Sequence, residues 1–144
     1  MSTERSIISR SEADTEAAGA ALARELKPGA VVLLYGDLGA GKTVFSRGFA
    51  RGLGITEPVS SPTYTIVQEY LLESGNRLYH MDLYRISDEH AALGFGVDEF
   101  LGEPGAISLV EWPERIGGLL PDDAVRVELK HRSESERELR IVVP

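Results

Sequence analysis

The chain has 144 residues, of which 42% are hydrophobic, and it contains no cysteine. This length supports one ordinary globular domain, and the lack of thiols excludes disulfides, thiolate zinc sites and cysteine nucleophiles. The 15 Lys and Arg against 23 Asp and Glu give a net charge of −8, which disfavours tight binding of nucleic-acid phosphates. We therefore expect a single cytoplasmic domain over residues 1–144, with neither a secretory signal nor a membrane-spanning segment.

The first third of the chain predicts a strand, a helix, a buried strand and a second helix. The run RSIIS (5–9) is strand-like, and Ser11 is a good N-cap for a helix that ends at Lys-Pro-Gly (27–29). AVVLLY (30–35) is a continuous apolar run, typical of a strand buried on both faces of a parallel sheet. KTVFSRGFARGLG (42–54) has its phenylalanines at helical spacing.

The remainder predicts two strands joined by a turn, short helices, another buried strand and a C-terminal hairpin. The predicted segments are strands 63–73 and 77–84, helices and loops within 86–101, strand 106–111, and hairpin strands 124–131 and 137–144. Strands that alternate with helices around apolar runs indicate an α/β fold.

The motif GDLGAGKT (36–43) stands between the buried strand and the second helix. In that position, glycine-x-x-x-x-glycine-lysine-threonine directs successive backbone N–H groups at phosphate oxygens. Lys42 then reaches the β- and γ-phosphates, and the Thr43 hydroxyl is placed to ligate Mg²⁺. A glycine-rich turn with an exposed lysine is the alternative, and the flanking strand and helix argue against it. We predict a phosphate-loop NTPase-like three-layer domain with a mixed, largely parallel sheet.

Two acids end apolar strands, Asp82 in RLYHMD and Glu111 in AISLVE. Phosphate-loop enzymes need a second carboxylate for the metal or its water, but spacing alone does not say which acid serves the metal and which orients the attacking water. His80 is expected to be a satisfied core histidine. Trp112 is expected to pack in the core, to sense nucleotide or to contact a partner. SSPTYT (60–65) is either a proline turn or a loop whose hydroxyls bind phosphate.

Other phosphate-loop classes make different demands on the sequence. A GTPase needs asparagine-lysine-x-aspartate to read guanine, whereas the one asparagine, Asn76, precedes Arg77. The serine-glycine-glycine signature of ABC ATPases is missing. A small-molecule kinase, or a nucleotide-dependent regulatory switch without useful turnover, stays open at this point.

GDLGAGKT, SPTYT, HMDLYR and VEWPE, in this order and at this spacing, resemble the TsaE (YjeE) family over nearly the whole chain. That family consists of small bacterial ATPases required, with TsaB and TsaD, for the threonylcarbamoyladenosine modification of tRNA beside the anticodon. The resemblance implies ATP or ADP with Mg²⁺ bound through Thr43 and Glu111, and catalysis by Lys42, Asp82 and Glu111. It implies TsaD and TsaB as partners, with no membrane contact and no strong direct binding of nucleic acid.

The resemblance also implies two switch segments and a set of nucleotide contacts. Residues 61–65 would form the first switch and residues 80–85 the second, with Asp82 as its key acid. Contacts are also implied near the start of the first helix and from the hairpin around Glu136. The implied nucleotide-binding residues are Ser11, Glu12, Leu38, Gly39, Ala40, Gly41, Lys42, Thr43, Thr63 and Arg137.

Overall fold

One mixed β-sheet organises the fold in the computed structural model, which describes residues 2–59 and 66–144. The strands are β1 (Thr3–Ser9), β2 (Val31–Tyr35), β3 (Val67–Leu71), β4 (Arg77–Asp82), β5 (Ala106–Glu111), β6 (Val125–His131) and β7 (Arg137–Val143). The helices are α1 (Glu12–Glu25), α2 (Lys42–Gly52), α3 (Glu89–Gly94) and α4 (Val97–Leu101), with a 3₁₀ segment at Pro113–Leu119. Across the described residues the strand order is β1-β7-β6-β2-β5-β4-β3.

The four central strands are parallel and the outer strands are antiparallel. β2 pairs in parallel with β5 and β6, and β5 pairs in parallel with β4. β3 joins β4, β7 joins β6, and β1 joins β7, each in antiparallel register. Parallel neighbours need crossovers, which the helical segments supply, whereas short turns connect the antiparallel hairpins. The predicted α/β class, mixed sheet and C-terminal hairpin are confirmed.

Helical layers cover both faces of the sheet. Side chains alternate along β2, so Val32 and Leu34 pack in the cluster with α1 and α2, and Val31 and Leu33 in the cluster with α3 and α4. All six residues of β5 are buried. The continuous apolar character of these strands follows from burial on both faces, and the three-layer arrangement is confirmed.

Local side-chain chemistry sets the helix ends. The Asp14 N–H donates to Ser11 Oγ at 3.1 Å, so Ser11 is the N-cap of α1, as predicted. After α2 the chain turns at Gly54, whose φ is 89° and whose N–H donates to the Arg51 carbonyl at 2.9 Å. No helix in the described ranges combines the length and apolar character that a membrane crossing requires.

Helices α1 and α2 pack with almost no space between their backbones. A Cβ added at Gly48 of α2 would collide with the backbone of Glu16, and one added at Gly52 would lie 2.6 Å from the Ala20 carbonyl oxygen. Only glycine permits so close an approach. The contact fixes the start of α1 beside the loop that precedes α2.

The structure differs from the sequence expectations at a few boundaries. β1 begins at Thr3, two residues before the predicted start, since its pairing with β7 extends to Val143. The first three residues of the predicted strand 63–73 lie outside the described residues. The 3₁₀ segment at Pro113–Leu119 was not predicted, because so short a turn carries no helical periodicity to read.

Candidate active site

The carboxyl ends of three parallel strands meet at one edge of the sheet. In the β4–β5 register Asp82 lies opposite Glu111, and in the β2–β5 register Glu111 lies opposite Leu34. Ligand sites of open α/β sheets form at this edge, outside the carboxyl ends of the strands. The two candidate acids are therefore neighbours, although 28 residues separate their positions in the sequence.

The loop between β2 and α2 has the backbone geometry of an anion site. Gly41 is the N-cap of α2 with φ 104°, and no side chain caps the helix. The first N–H groups of α2 are therefore left for another acceptor, at the positive end of the helix dipole. Gly36 permits the loop to pass close to β6, because a Cβ there would lie 2.8 Å from the Leu129 carbonyl oxygen.

Lys42 is the first residue of α2 and its side chain is almost fully buried, with 6% exposed. Its Nζ is buried without a hydrogen-bond partner in the described part of the chain, and it lies 3.5 Å from the centre of the Trp112 ring. Burial lowers the pKa of Lys42, and the nearby charges of Glu111, Glu114 and Asp82 oppose that shift. A buried, unpartnered ammonium group is costly unless an anion pairs with it.

Glu111 is also buried, at the end of β5, and it pairs with His80. The distance between His80 Nε2 and Glu111 Oε2 is 2.6 Å, and the two side chains are 1% and 4% exposed. His80 is buried as the strand pattern predicts, but it is not fully satisfied, because its Nδ1 has no hydrogen-bond partner in the described residues. Its hydrogen bond to the predicted metal ligand was not predicted, because sequence spacing says nothing about partners on a neighbouring strand.

Asp82 is half-buried at the end of β4 and is held by the chain that follows it. The Tyr84 N–H donates to Asp82 Oδ1 at 3.0 Å. Burial raises the pKa of Asp82, the hydrogen bond from Tyr84 lowers it in part, and the Glu111 charge raises it further. A carboxylate whose pKa is raised is a stronger base than one in bulk water.

Trp112 forms one wall of the cavity and also packs against the core cluster that contains α3 and α4 residues. It is half-buried, and its φ of 59° is the one positive φ at a non-glycine position among the described residues. A tryptophan in this region stores backbone strain, which concentrates at functional sites. The ring also contacts Tyr84, with ring centres 5.0 Å apart, so Tyr84 and Lys42 both pack against it.

These groups line one cavity of about 660 Å³, large enough for a cofactor-sized ligand. Its lining includes most of the predicted site residues: Ser11, Glu12, Leu38, Gly39, Gly41, Lys42, Thr43, Asp82, Glu111 and Arg137. The start of α1, the glycine loop, two strand ends and the C-terminal hairpin therefore converge. Tyr84 of the predicted second switch also lines it, as do four residues that the sequence reasoning did not name: Thr15, Val44, Glu134 and Ser135.

Two predicted nucleotide contacts, Ala40 and Glu136, are not among the residues that line the cavity. The Ala40 side chain is buried in the core, and its N–H donates to the Asp37 carbonyl at 3.1 Å. Glu136 pairs with Arg10 at 3.5 Å and is outside the cavity lining described above. Thr63, with the rest of the predicted first switch, lies outside the described residues.

The hairpin turn is tied to the glycine loop through Arg137. Its guanidinium donates to the Gly39 carbonyl at 3.3 Å and to the Ser133 carbonyl at 3.1 Å. Arg137 thus brings a fixed positive charge to the cavity opposite α1. The signal that would have found Glu134 and Ser135 is their place in the predicted turn, directly before this arginine.

The described residues contain no group of three or more His, Asp or Glu side chains that could hold a metal by themselves. Mg²⁺ is usually bound by one or two carboxylates together with phosphate oxygens and water. Thr43 and Glu111, the predicted ligands, both line the cavity, and both supply oxygen donors. The donor set therefore fits a magnesium ion that arrives with a nucleotide.

Comparisons with known proteins agree with this geometry. The sequence model of the family described as threonylcarbamoyl adenosine biosynthesis protein TsaE matches residues 9–139. The chain belongs to the TsaE family. It is 46% identical over 126 residues to the Bacillus subtilis tRNA threonylcarbamoyladenosine biosynthesis protein TsaE, covering 88% of this chain and 77% of that protein. It is 39% identical to the Aquifex aeolicus TsaE, covering 98% of each.

A solved structure shows the same fold. The crystal structure of Bacillus subtilis YdiB superposes with a TM-score of 0.82 at 38% sequence identity, covering 99% of this chain and 87% of that one. The phosphate-loop-type α/β fold predicted from the motifs is thereby confirmed. Since the family match runs from residue 9 to residue 139, it includes both the glycine loop and the hairpin turn whose residues line the cavity.

Proposed function

We propose that the protein is a Mg²⁺-dependent ATPase that acts with TsaB and TsaD in the threonylcarbamoyladenosine modification of tRNA. The observation that carries the ATPase part is Lys42, whose Nζ is buried in the cavity wall without a hydrogen-bond partner in the described residues. A phosphate group would supply the missing acceptor, and charge-assisted bonds of this kind are the strong ones.

The phosphates are expected at the start of α2. There the uncapped N–H groups, the helix dipole and Lys42 all favour negative charge at one place. The rest of the cavity, between the start of α1 and Arg137, has room for the nucleoside. Negative side chains such as Glu12 and Glu134 also line it, so phosphate binding depends on the local positive groups rather than on the net charge.

Thr43 and Glu111 would hold the magnesium ion. When bound, the ion supplies positive charge that neutralises the β- and γ-phosphates. Glu111 brings a buried carboxylate to that position, and His80 already occupies one of its oxygens. Asp82, on the neighbouring strand end, would accept a hydrogen bond from the attacking water and hold it in place.

The part of the proposal that concerns tRNA modification rests on family membership. Relatives named for tRNA threonylcarbamoyladenosine biosynthesis match most of this chain. The net charge of −8 disfavours direct binding of tRNA phosphates, since electrostatic contacts with phosphates are made by Lys and Arg. Contact with the TsaB and TsaD proteins is the route to tRNA that agrees with this acidic surface.

Phosphate release from ATP tests the proposal. We expect slow release by the protein alone, faster release with TsaB and TsaD, and loss of both in Asp82→Asn. Asp98→Asn, an exposed site on α4, is the matched control and should behave as wild type. Transfer of the labelled γ-phosphate to a small molecule instead of water would show a kinase. Nucleotide binding without release, even with both partners, would show a switch and contradict the ATPase.

A further inference from the structure

We propose that His80 is a positioning residue that holds the Glu111 carboxylate in the orientation needed for Mg²⁺, an inference that rests on the proposed function. The observation that motivates this proposal is the hydrogen bond of 2.6 Å between His80 Nε2 and Glu111 Oε2.

The sheet dictates which side chains share this face. His80 and Asp82 are two residues apart on β4, and successive side chains of a strand alternate, so both point to the face that α2 covers. Leu78, two residues earlier, packs in the cluster with α1 and α2, as does Leu109 of β5. Glu111, two residues after Leu109, therefore lies on the same face as His80. The two side chains meet between the sheet and the glycine loop.

The hydrogen bond restricts the rotamers that the Glu111 side chain can adopt, and so the direction of its carboxylate oxygens. A glutamate side chain has several rotamers, and a carboxylate offers about four lone-pair positions. With Oε2 held by Nε2–H, the second oxygen keeps a defined direction and stays available for a cation. Groups that orient a metal ligand in this way typically raise metal affinity by about 10- to 100-fold.

The cost of burying His80 argues that its polar end has a role. Its Nδ1 is buried without a hydrogen-bond partner within residues 2–59 and 66–144, and the side chain is 1% exposed. A leucine would fill such a core position without an unpaired nitrogen. An imidazole this enclosed cannot take a proton from the attacking water in the open cavity. The hydrogen bond with Glu111 is therefore the role that we assign to the His80 imidazole.

Two variants of similar polarity separate positioning from simple packing. In His80→Gln the amide nitrogen is as many bonds from Cβ as Nε2, so it can still donate to Glu111. In His80→Asn the amide ends one bond short of that position. Both replace a buried ring with a smaller polar group, so both are expected to lower the melting temperature, and only the asparagine should lose the contact with Glu111.

The readout is the affinity for AMP-PNP, a non-hydrolysable ATP analogue, measured over a range of Mg²⁺ concentrations and in EDTA. The quantity compared is the Mg²⁺ concentration that gives half of the increase in AMP-PNP affinity. We expect this concentration to be at least about tenfold higher in His80→Asn than in wild type, and within about threefold of wild type in His80→Gln. In EDTA the three proteins should bind alike, because Lys42 and the loop are unchanged. An unaltered Mg²⁺ midpoint in His80→Asn would overturn the inference.

If the variants do not fold, ¹⁵N-histidine NMR of the wild-type protein tests the same inference. The chain has three histidines, and His90 and His131 are exposed, so ¹⁵N-histidine NMR can resolve the protected Nε2–H of His80. We expect this signal to shift when Mg²⁺ joins the AMP-PNP complex. If Mg²⁺ tightens AMP-PNP binding and the signal stays fixed, the positioning role is wrong and the proposed function stands. If wild type binds no AMP-PNP, both are overturned.

Discussion

The Lys42 ammonium nitrogen lies 3.5 Å from the centre of the Trp112 indole ring. A cation over an aromatic face gains about 0.5–2 kcal/mol, whereas a hydrogen bond between charged groups is worth about 1.5–3 kcal/mol. A phosphate arriving at the loop should therefore draw Lys42 away from the ring. The contact with Trp112 is the weaker of these two interactions, and we expect a bound nucleotide to replace it.

Trp112 fluorescence should report this exchange. Because the chain has a single tryptophan, its emission comes from this one place. We expect different emission changes on adding Mg-ATP and Mg-ADP, because the γ-phosphate and the metal alter the surroundings of the ring. The difference should be much reduced in Glu111→Ala. Identical spectra for both nucleotides, at saturation, would show that Trp112 does not sense the terminal phosphate.

Asp82→Asn should stabilise the nucleotide-free protein at neutral pH. The pKa of Asp82 in the folded state is raised from 3.8, chiefly by burial, so the folded chain holds that proton more tightly than the unfolded chain. The stability that the protonated carboxyl contributes is complete below about pH 3.8 and is lost as pH rises through the folded-state pKa. The amide stays neutral, so Asp82→Asn should melt higher than wild type at pH 7.

The same comparison at lower pH supplies the check. As pH falls towards about 4, wild-type Asp82 takes up its proton, and the difference in melting temperature should shrink. A difference that is constant from pH 7 to pH 4 would mean that the substitution acts through packing rather than through charge. Mg-ATP affinity should be largely kept in this variant while turnover is lost.

Gly48→Ala should destabilise the fold by about 2 kcal/mol or more, because the added methyl would meet the backbone of Glu16, which cannot move without shifting α1. The start of α1 carries Ser11 and Glu12 into the cavity, so nucleotide affinity should fall although no loop residue is changed. Chemical denaturation and nucleotide titration measure the two effects.

Gly94→Ala is the matched control for that substitution. Apart from its chain neighbours and the backbone of its own helix, nothing described lies within 4 Å of the position that its Cβ would occupy. The change should leave stability within a few tenths of a kcal/mol of wild type, or raise it slightly. Equal losses in Gly48→Ala and Gly94→Ala would show that the close contact between α1 and α2 does not decide the result.

The strands, the first two helices and the loop could be predicted from the sequence because their signals are local. Ser11 caps α1 through its own side chain, and the predicted order strand–glycine loop–helix is the order that the structure shows. The pairing of His80 with Glu111 could not be predicted, because it depends on β4 and β5 being neighbours in the sheet. The contact between Lys42 and Trp112 depends likewise on the backbone of Trp112, whose left-handed conformation has no sequence signature.

The Ala40 prediction shows a second limit. The loop motif was treated as a run of phosphate contacts, but the Ala40 N–H is used inside the loop by the Asp37 carbonyl. Which N–H groups face the phosphate depends on the turn that the loop adopts, and the motif alone does not specify that turn. The motif places the loop before α2 as predicted, and its contacts with a nucleotide stay predictions.

The most direct test of the account is the affinity of Lys42→Met for Mg-ATP, measured by isothermal titration beside the wild-type protein. Methionine keeps an unbranched side chain against Trp112 and removes only the charged group, so the variant should fold and melt at or above the wild-type temperature. We expect the affinity to fall at least tenfold, which corresponds to about 1.4 kcal/mol or more. An unchanged dissociation constant, with the fold intact, would contradict the assignment of this cavity as the nucleotide site.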